Sequence, residues 1–236
     1  MNTFSAELIQ RIKRTPSVES FCFKTSEKIT FAPGQFVKVV FDDKALQNKD
    51  LNKYLSFSVS PEKDYVEVTK RLSESSFSAR LKGLKLGDSL LMQGPMGNCI
   101  FKEDYKKIGF LIGGIGITPV ISILEYIMEK KLGIDIILFY SNRNKEEIAF
   151  RRELDSWNRL NENMQVVYTV TDCEPKDDIC VHGHISGELL SGRLQDLTAR
   201  RFFIYGPPVM VKAMKDLCVE SGCDKNWIMA ENFIGY

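Results

Sequence analysis

The chain of 236 residues is poor in histidine, with two, and none of its six cysteines forms a C-x-x-C pair. A zinc ribbon or an iron–sulfur cluster needs closely spaced thiolates, so the spacing of Cys22, Cys99, Cys173, Cys180, Cys218 and Cys223 excludes both. Neither sign of charge predominates: 32 Lys and Arg face 31 Asp and Glu, a formal net charge of +1. With no basic run in the sequence either, nothing supplies the field that draws nucleic acid. Long apolar runs are missing as well. Residues 1–14 carry Glu7, Arg11, Lys13 and Arg14, so neither a secretory leader nor a membrane span is expected there. A cytoplasmic protein with reduced cysteines is the resulting expectation. Cys180-Val181-His182-Gly183-His184, with Cys173 upstream, is the one cluster rich in metal-ligand types. Two histidines one residue apart in a polar loop read as solvated side chains, and no metal site is expected.

What is present centres on residues 108–124. Ile108 to Ile112 is apolar on both faces, as a central parallel strand is, and Gly113, Gly114 and Gly116 follow at once. Glycines there let the backbone turn sharply and come close to a ligand. Thr118 is placed to cap a helix whose first position suits Pro119, and the free N–H groups and positive dipole end of such a helix favour an anion such as a pyrophosphate. A bare tight turn in an α/β domain remains the alternative, because the usual dinucleotide fingerprint has glycine where this chain has Pro119.

The two halves of the chain are patterned differently. From Phe4 to Phe101, short period-two stretches such as Phe21 with Phe23 and Val66 with Val68 alternate with turns. After Phe101 strand and helix alternate: strands at Ile134 to Tyr140, Met164 to Val170 and Arg201 to Tyr205, helices at Glu146 to Leu160, Ser186 to Leu194 and Val209 to Ser221, and a closing strand at Trp227 to Glu231. This predicts an α+β two-domain chain, an N-terminal antiparallel Greek-key β-barrel over residues 1–104 followed by a C-terminal doubly wound α/β parallel sheet over residues 105–236. Ligands of such a sheet bind beyond the carboxyl ends of its strands.

The order of motifs resembles the ferredoxin-NADP reductase superfamily, two-domain flavoproteins with a flavin barrel and a pyridine-nucleotide domain. The resemblance runs over nearly the whole chain. It rests on Pro33-Gly34-Gln35-Phe36, Lys53-Tyr54-Leu55-Ser56 with Ser60-Pro61, Ser75-Ser76-Phe77-Ser78, Gly94-Pro95-Met96-Gly97, Gly114-Ile115-Gly116-Ile117-Thr118-Pro119, Tyr205-Gly206-Pro207-Pro208-Val209-Met210 and Glu231-Asn232-Phe233. It implies FAD, with FMN as the alternative, and NADH or NADPH as the electron donor.

Residue by residue, the resemblance sets Ser56 at the serine that hydrogen-bonds flavin N5. Lys53 stands where the family has a phosphate-binding arginine, keeping the charge but losing the bidentate fork. Tyr54 belongs to the same motif, and Leu55 stands where an aromatic flanks the ring, which implies an aliphatic wall. Ser75, Ser76 and Ser78 fall at the helix start that faces the flavin phosphates, an ordinary N-cap being the plainer reading. Gly114, Gly116, Thr118 and Pro119 line the nucleotide turn, with Gly206 and Pro207 opposite. Tyr205 replaces the cysteine near nicotinamide C4. Glu231 matches an acidic residue near the flavin, with a role in proton handling or nicotinamide positioning, or else is a surface carboxylate. Tyr236 is either an aromatic over the flavin face or a plain chain end. Ser141 and Arg143 could serve a 2′-phosphate, whereas Thr171 and Asp172 occupy the place of a Ser-Arg pair typical of NADPH users. The carboxylate points to NADH.

The resemblance therefore implies an FAD-dependent NAD(P)H oxidoreductase, with Ser56, Tyr205 and Glu231 nearest the chemistry. Lacking ligands for a further redox centre, the sequence implies that electrons leave to a separate acceptor such as a ferredoxin, another partner protein or a small molecule. A reductase of free flavin and a regulatory subunit without turnover are the other readings.

Overall fold

A computed structural model describes residues 2–172 and 180–233. The chain falls into two compact units, residues 1–101 with 118–130, and residues 102–117 with 131–236.

The first unit is a nearly closed antiparallel barrel of six strands: β1 (Asn2–Lys13), β2 (Val18–Thr25), β3 (Phe36–Val40), β4 (Asn52–Ser56), β5 (Val66–Arg71) and β6 (Ser89–Met96). Their spatial order is β4-β3-β6-β1-β2-β5, and a single bridge between Phe57 and Val68 joins the two ends. Alternate side chains fill the interior, among them Phe21, Phe23, Val37, Val39, Leu55, Phe57, Val68 and Met92. Helix α1 (Ser76–Gly83) adds Phe77 and Leu81 to that core. Helix α2 (Ile117–Lys130) is tied to the barrel by the segment after β4. Glu125 accepts a hydrogen bond from the Ser60 backbone N–H at 2.7 Å, Lys63 pairs with Glu125 and Glu129, and Lys130 pairs with Glu62.

The second unit holds a fully parallel sheet of β7 (Lys107–Gly113), β8 (Asp135–Asn142), β9 (Met164–Val170), β10 (Cys180–His182), β11 (Arg201–Gly206) and β12 (Ile228–Asn232). Its order is β10-β9-β8-β7-β11-β12. Beyond β7 the connections run outward in opposite directions, to β8 and to β11, so the carboxyl end of β7 is the switch point of the sheet. One face, with Leu111, Ile137, Phe139, Val167, Phe202 and Ile204, packs on α4 (Gly187–Arg193) and α5 (Pro208–Glu220) through Leu190, Val211, Met214 and Cys218. Helix α3 (Arg151–Leu160) lies by β9, where Asp155 accepts the Tyr168 hydroxyl at 2.7 Å. No helix among the described residues is long and apolar enough to cross a membrane.

Three local readings are corrected. The single helix expected from Glu146 to Leu160 is broken into a 3-10 turn at Lys145–Glu147 and α3. Between them Ile148 is extended and Phe150 adopts the left-handed conformation at φ 58°, backbone angles that a continuous helix cannot contain, while Ile148, Ala149 and Phe150 are all buried. Thr118 does not precede its helix. A 3-10 turn at Gly114–Gly116 runs directly into α2, leaving Thr118 as the second helical residue. Cys180 to His182, read as a polar loop, is the edge strand β10.

Candidate functional site

In the barrel, strand alternation decides which β4 side chains are available. Tyr54 is 53% exposed, with Phe36 edge-on at 5.7 Å and Lys38 over its ring at 5.6 Å. Leu55 is a correction: expected to wall a ring, it is buried in the barrel core, because adjacent strand residues face opposite ways. Tyr54 is the aromatic this strand offers. Ser56 is buried at the end of β4. Lys53 lies partly buried near Lys70, a residue that sequence reasoning passed over. Lys70 is 3% exposed, and burial, Lys53 and Arg71 push its pKa down to about 8. Three cations held close together in a half-dry setting favour an anion. The available clue was the pair Lys70-Arg71 ending a strand of inward valines.

Next to that strand, Ser73, Ser75 and Ser78 form a hydroxyl cluster at the start of α1. Ser75 Oγ caps the helix by accepting from Ser78 N at 3.3 Å, and the Ser75 and Ser78 hydroxyls lie 3.1 Å apart. Ser76 is exposed at the first helical position and Ser78 is fully buried. The capping reading of this segment thus holds locally, with Ser73, Ser75 and Ser76 exposed around the positive end of the helix. Taken together, the cations, the serine-rich helix start and exposed Tyr54 fit a ligand with phosphates and a flat ring.

In the second unit the nucleotide turn is built on close backbone approach. A Cβ on Gly116 would lie 2.5 Å from the Tyr205 carbonyl oxygen and 2.7 Å from its carbon, so only glycine lets the turn rest on the end of β11. Gly206 sits against Gly113 and the Met210 sulfur, which draws Gly113, Gly116 and Gly206 together, with Pro207 exposed beside them. Gly114 has φ 52° and is partly exposed, whereas Thr118 and Pro119 are buried. The loops after β8 and β9 are joined by their backbones: Thr171 N donates to Asn142 and Arg143 carbonyls, and Asp172 N donates to Arg143 O at 2.8 Å. Ser141, Arg143, Thr171 and Asp172 therefore gather at one corner of the carboxyl edge.

Tyr205 is a second correction. Its ring is fully buried between Phe203 and Phe233, so what it presents to the turn is its carbonyl, not its side chain. Glu231 pairs in register with Tyr205, and burial alone pushes its carboxyl up to about 7. A group with that pKa holds or gives up a proton near neutrality. Tyr236 lies outside the described residues. Among those residues no three His, Cys, Asp or Glu converge as a metal site.

Comparison with known proteins agrees with this geometry. Residues 5–101 match the oxidoreductase FAD-binding domain model and residues 110–216 the oxidoreductase NAD-binding domain model. Together they span most of the chain, which belongs to the ferredoxin-NADP reductase superfamily of FAD- and NAD-binding oxidoreductases. It is 26% identical to the glycine betaine monooxygenase reductase subunit of Chromohalobacter salexigens over 95% of this chain and 62% of that protein. It is 29% identical to NADH-cytochrome b5 reductase 1 of Dictyostelium discoideum over 68% of this chain and 57% of that one. The chain thus spans less than two thirds of the length of these relatives. Its fold is that of a ferredoxin NADP+ reductase from Neisseria gonorrhoeae solved with FAD and NADP, with a TM-score of 0.82, 23% identity and coverage of 98% and 99% of the two chains.

Proposed function

We propose that this chain is an FAD-dependent reductase that accepts a hydride from NADH and delivers electrons to a separate acceptor, in the cytoplasm. Bound flavin would supply the exchange between two-electron and one-electron transfer. The chain's own residues hold and orient the reactants. The observation that supports the reading most is the cluster of Lys53, Lys70 and Arg71 next to the serine-rich start of α1, a concentration of positive charge that suits flavin phosphates. Tyr54 offers a face for the ring, and Ser56 a hydroxyl at the end of the same strand. Residues 1–104 form the flavin domain in this reading and residues 105–236 the nucleotide domain.

In the nucleotide domain, Gly114, Gly116, Gly206 and Pro207 would admit the dinucleotide at the switch point. Glu231 is assigned to proton handling, with a pKa of about 7 that suits it to that task. The exposed Asp172 carboxylate would repel a 2′-phosphate, which favours NADH over NADPH. Names among the relatives, a monooxygenase reductase subunit and a cytochrome b5 reductase, support a protein acceptor.

A second reading, reduction of free flavin as a substrate, is favoured by Lys53 in place of an arginine fork, since one point charge holds a phosphate less firmly. The absorbance spectrum of the purified protein, followed by anaerobic titration with NADH and then NADPH, separates the two. Flavin bands that bleach with NADH support the bound-flavin reductase. A colourless protein that oxidises NADH only with added flavin supports the second reading, and a protein inert to both overturns the two together.

A further inference from the structure

At the carboxyl edge of the sheet, β8 ends in a buried polar group that the proposed function does not yet use. Asn142 is 5% exposed, and neither Nδ2 nor Oδ1 of its side chain has a hydrogen-bond partner among the described residues. Its backbone is fixed in the strand, with its carbonyl accepting from Thr171 N at 3.1 Å, so the side chain alone is unsatisfied. Thr169 Oγ1, which register pairs with Ser141 on the opposite face of the sheet, is likewise buried without a partner among the described residues and belongs to a different environment. Interior amides normally find partners, because water is given up on burial and nothing replaces it otherwise. A leucine would fill the same space at no such cost. An asparagine here calls for a group that arrives from outside.

Register shows where that group arrives. The β7–β8 pairing ends with Gly113 opposite Ser141, so Asn142, the last residue of β8, lies one position beyond that pair at the strand end that neighbours the glycine turn. Strand alternation turns Asn142 to the same face as Tyr140, away from Ser141. The turn offers backbone N–H groups for a pyrophosphate; Asn142 offers a donor and an acceptor together. A phosphate oxygen alone would satisfy only the donor. A ribose hydroxyl, which both donates and accepts, satisfies the pair.

We infer that the Asn142 carboxamide is a nucleotide-binding group, one that hydrogen-bonds a ribose hydroxyl of the dinucleotide seated on the Gly113 to Gly116 turn. This rests on the proposed use of NADH. Because the amide gives up no hydrogen bond on leaving its present position, rotating it to meet the ligand loses no existing bond and gains new ones. The residue is a specificity element for ribose-bearing ligands, distinct from the charge selection assigned to Asp172.

The test compares wild type with Asn142→Leu, measuring the thermal midpoint without nucleotide and the Kd for NADH, ADP-ribose and inorganic pyrophosphate. Asn142→Leu is expected to keep or raise the midpoint while weakening NADH and ADP-ribose by about ten-fold or more, with pyrophosphate affected less. Asn142→Ser, which retains a hydroxyl, should recover part of the loss. Unchanged affinity for NADH and ADP-ribose overturns the inference. A lowered midpoint or failure of Asn142→Leu to fold overturns it too, since that outcome makes the amide a support of the fold. A folded wild type that binds none of the three refutes the proposed use of NADH itself.

Discussion

At the amino end of the parallel sheet, Arg200 is buried and fully engaged. It makes two 2.8 Å bonds to the Asp135 carboxylate and one of 2.8 Å to Asp196, while Lys107 reaches Asp196 at 2.6 Å. At the carboxyl end of the same sheet, Glu231 is desolvated and the Asn142 side chain has no partner among the described residues. One end is satisfied by its own residues, while the other carries polar groups that the described residues leave unmatched. A cavity of about 370 Å3 lies at the satisfied end, lined by Asp135, Glu162, Arg193, Asp196 and Arg200 among others. Arg200, Asp135 and Asp196 in that lining are paired with one another, whereas the polar groups at the carboxyl end are unmatched among the described residues, as in a ligand site that keeps groups costing stability until the ligand arrives.

The largest effect should come from breaking the satisfied end. Arg200→Leu removes the two-pronged partner of Asp135 and one of the two cations on Asp196, leaving only Lys107 near them, and should cost about 2–3 kcal/mol in urea unfolding, with NADH affinity of the folded protein unchanged. Loss of affinity at the far end would erase the contrast. Next, Gly116→Val forces a branched side chain against the Tyr205 carbonyl and should weaken NADH by roughly 100-fold in direct binding, a loss of about 2.7 kcal/mol.

Glu231→Gln sharpens the contrast through pH. The folded carboxyl titrates near 7 and the unfolded one near 4.5, so the wild type binds an extra proton when folded and loses stability as pH rises through that window. The variant should match the wild type at pH 4 and exceed it by about 1–2 kcal/mol at pH 8, after allowance for partial exposure. A wild-type stability that does not fall between these pH values would place Glu231 among satisfied groups. The smallest change is expected from Asp172→Ser, which removes the repelling carboxylate and should raise kcat/KM for NADPH by about ten-fold relative to NADH, equal to 1.4 kcal/mol.

Much of this was legible in the residues. The barrel followed from period-two stretches, the parallel sheet from apolar runs such as Ile108 to Ile112, and the nucleotide turn from Gly113, Gly114 and Gly116. The misreadings share one physical cause: a side chain's neighbours come from distant sequence. Leu55 and Tyr54 are adjacent, but which of them faces the core depends on β3 and the barrel's closure. Glu67 and Thr69 alternate with inward valines and would be called solvent-facing, yet both are buried. Arg14, Ser20 and Ser58, brought in from other segments, bond to them. Lys70 escaped notice because its cost arises from burial and from Lys53, seventeen positions away.

Sequence by itself determined the two-part architecture, the strand-to-helix turn and the family motifs, since these depend on local conformational preference and on residues close together in the chain. Tertiary structure alone decided that Tyr205 offers a carbonyl and not a ring, that Lys70 is a buried cation with its pKa pushed down to about 8, and that the Asn142 side chain is buried without a partner among the described residues. Solvation and hydrogen bonding depend on everything packed around a group, and that surrounding is assembled only when the chain folds.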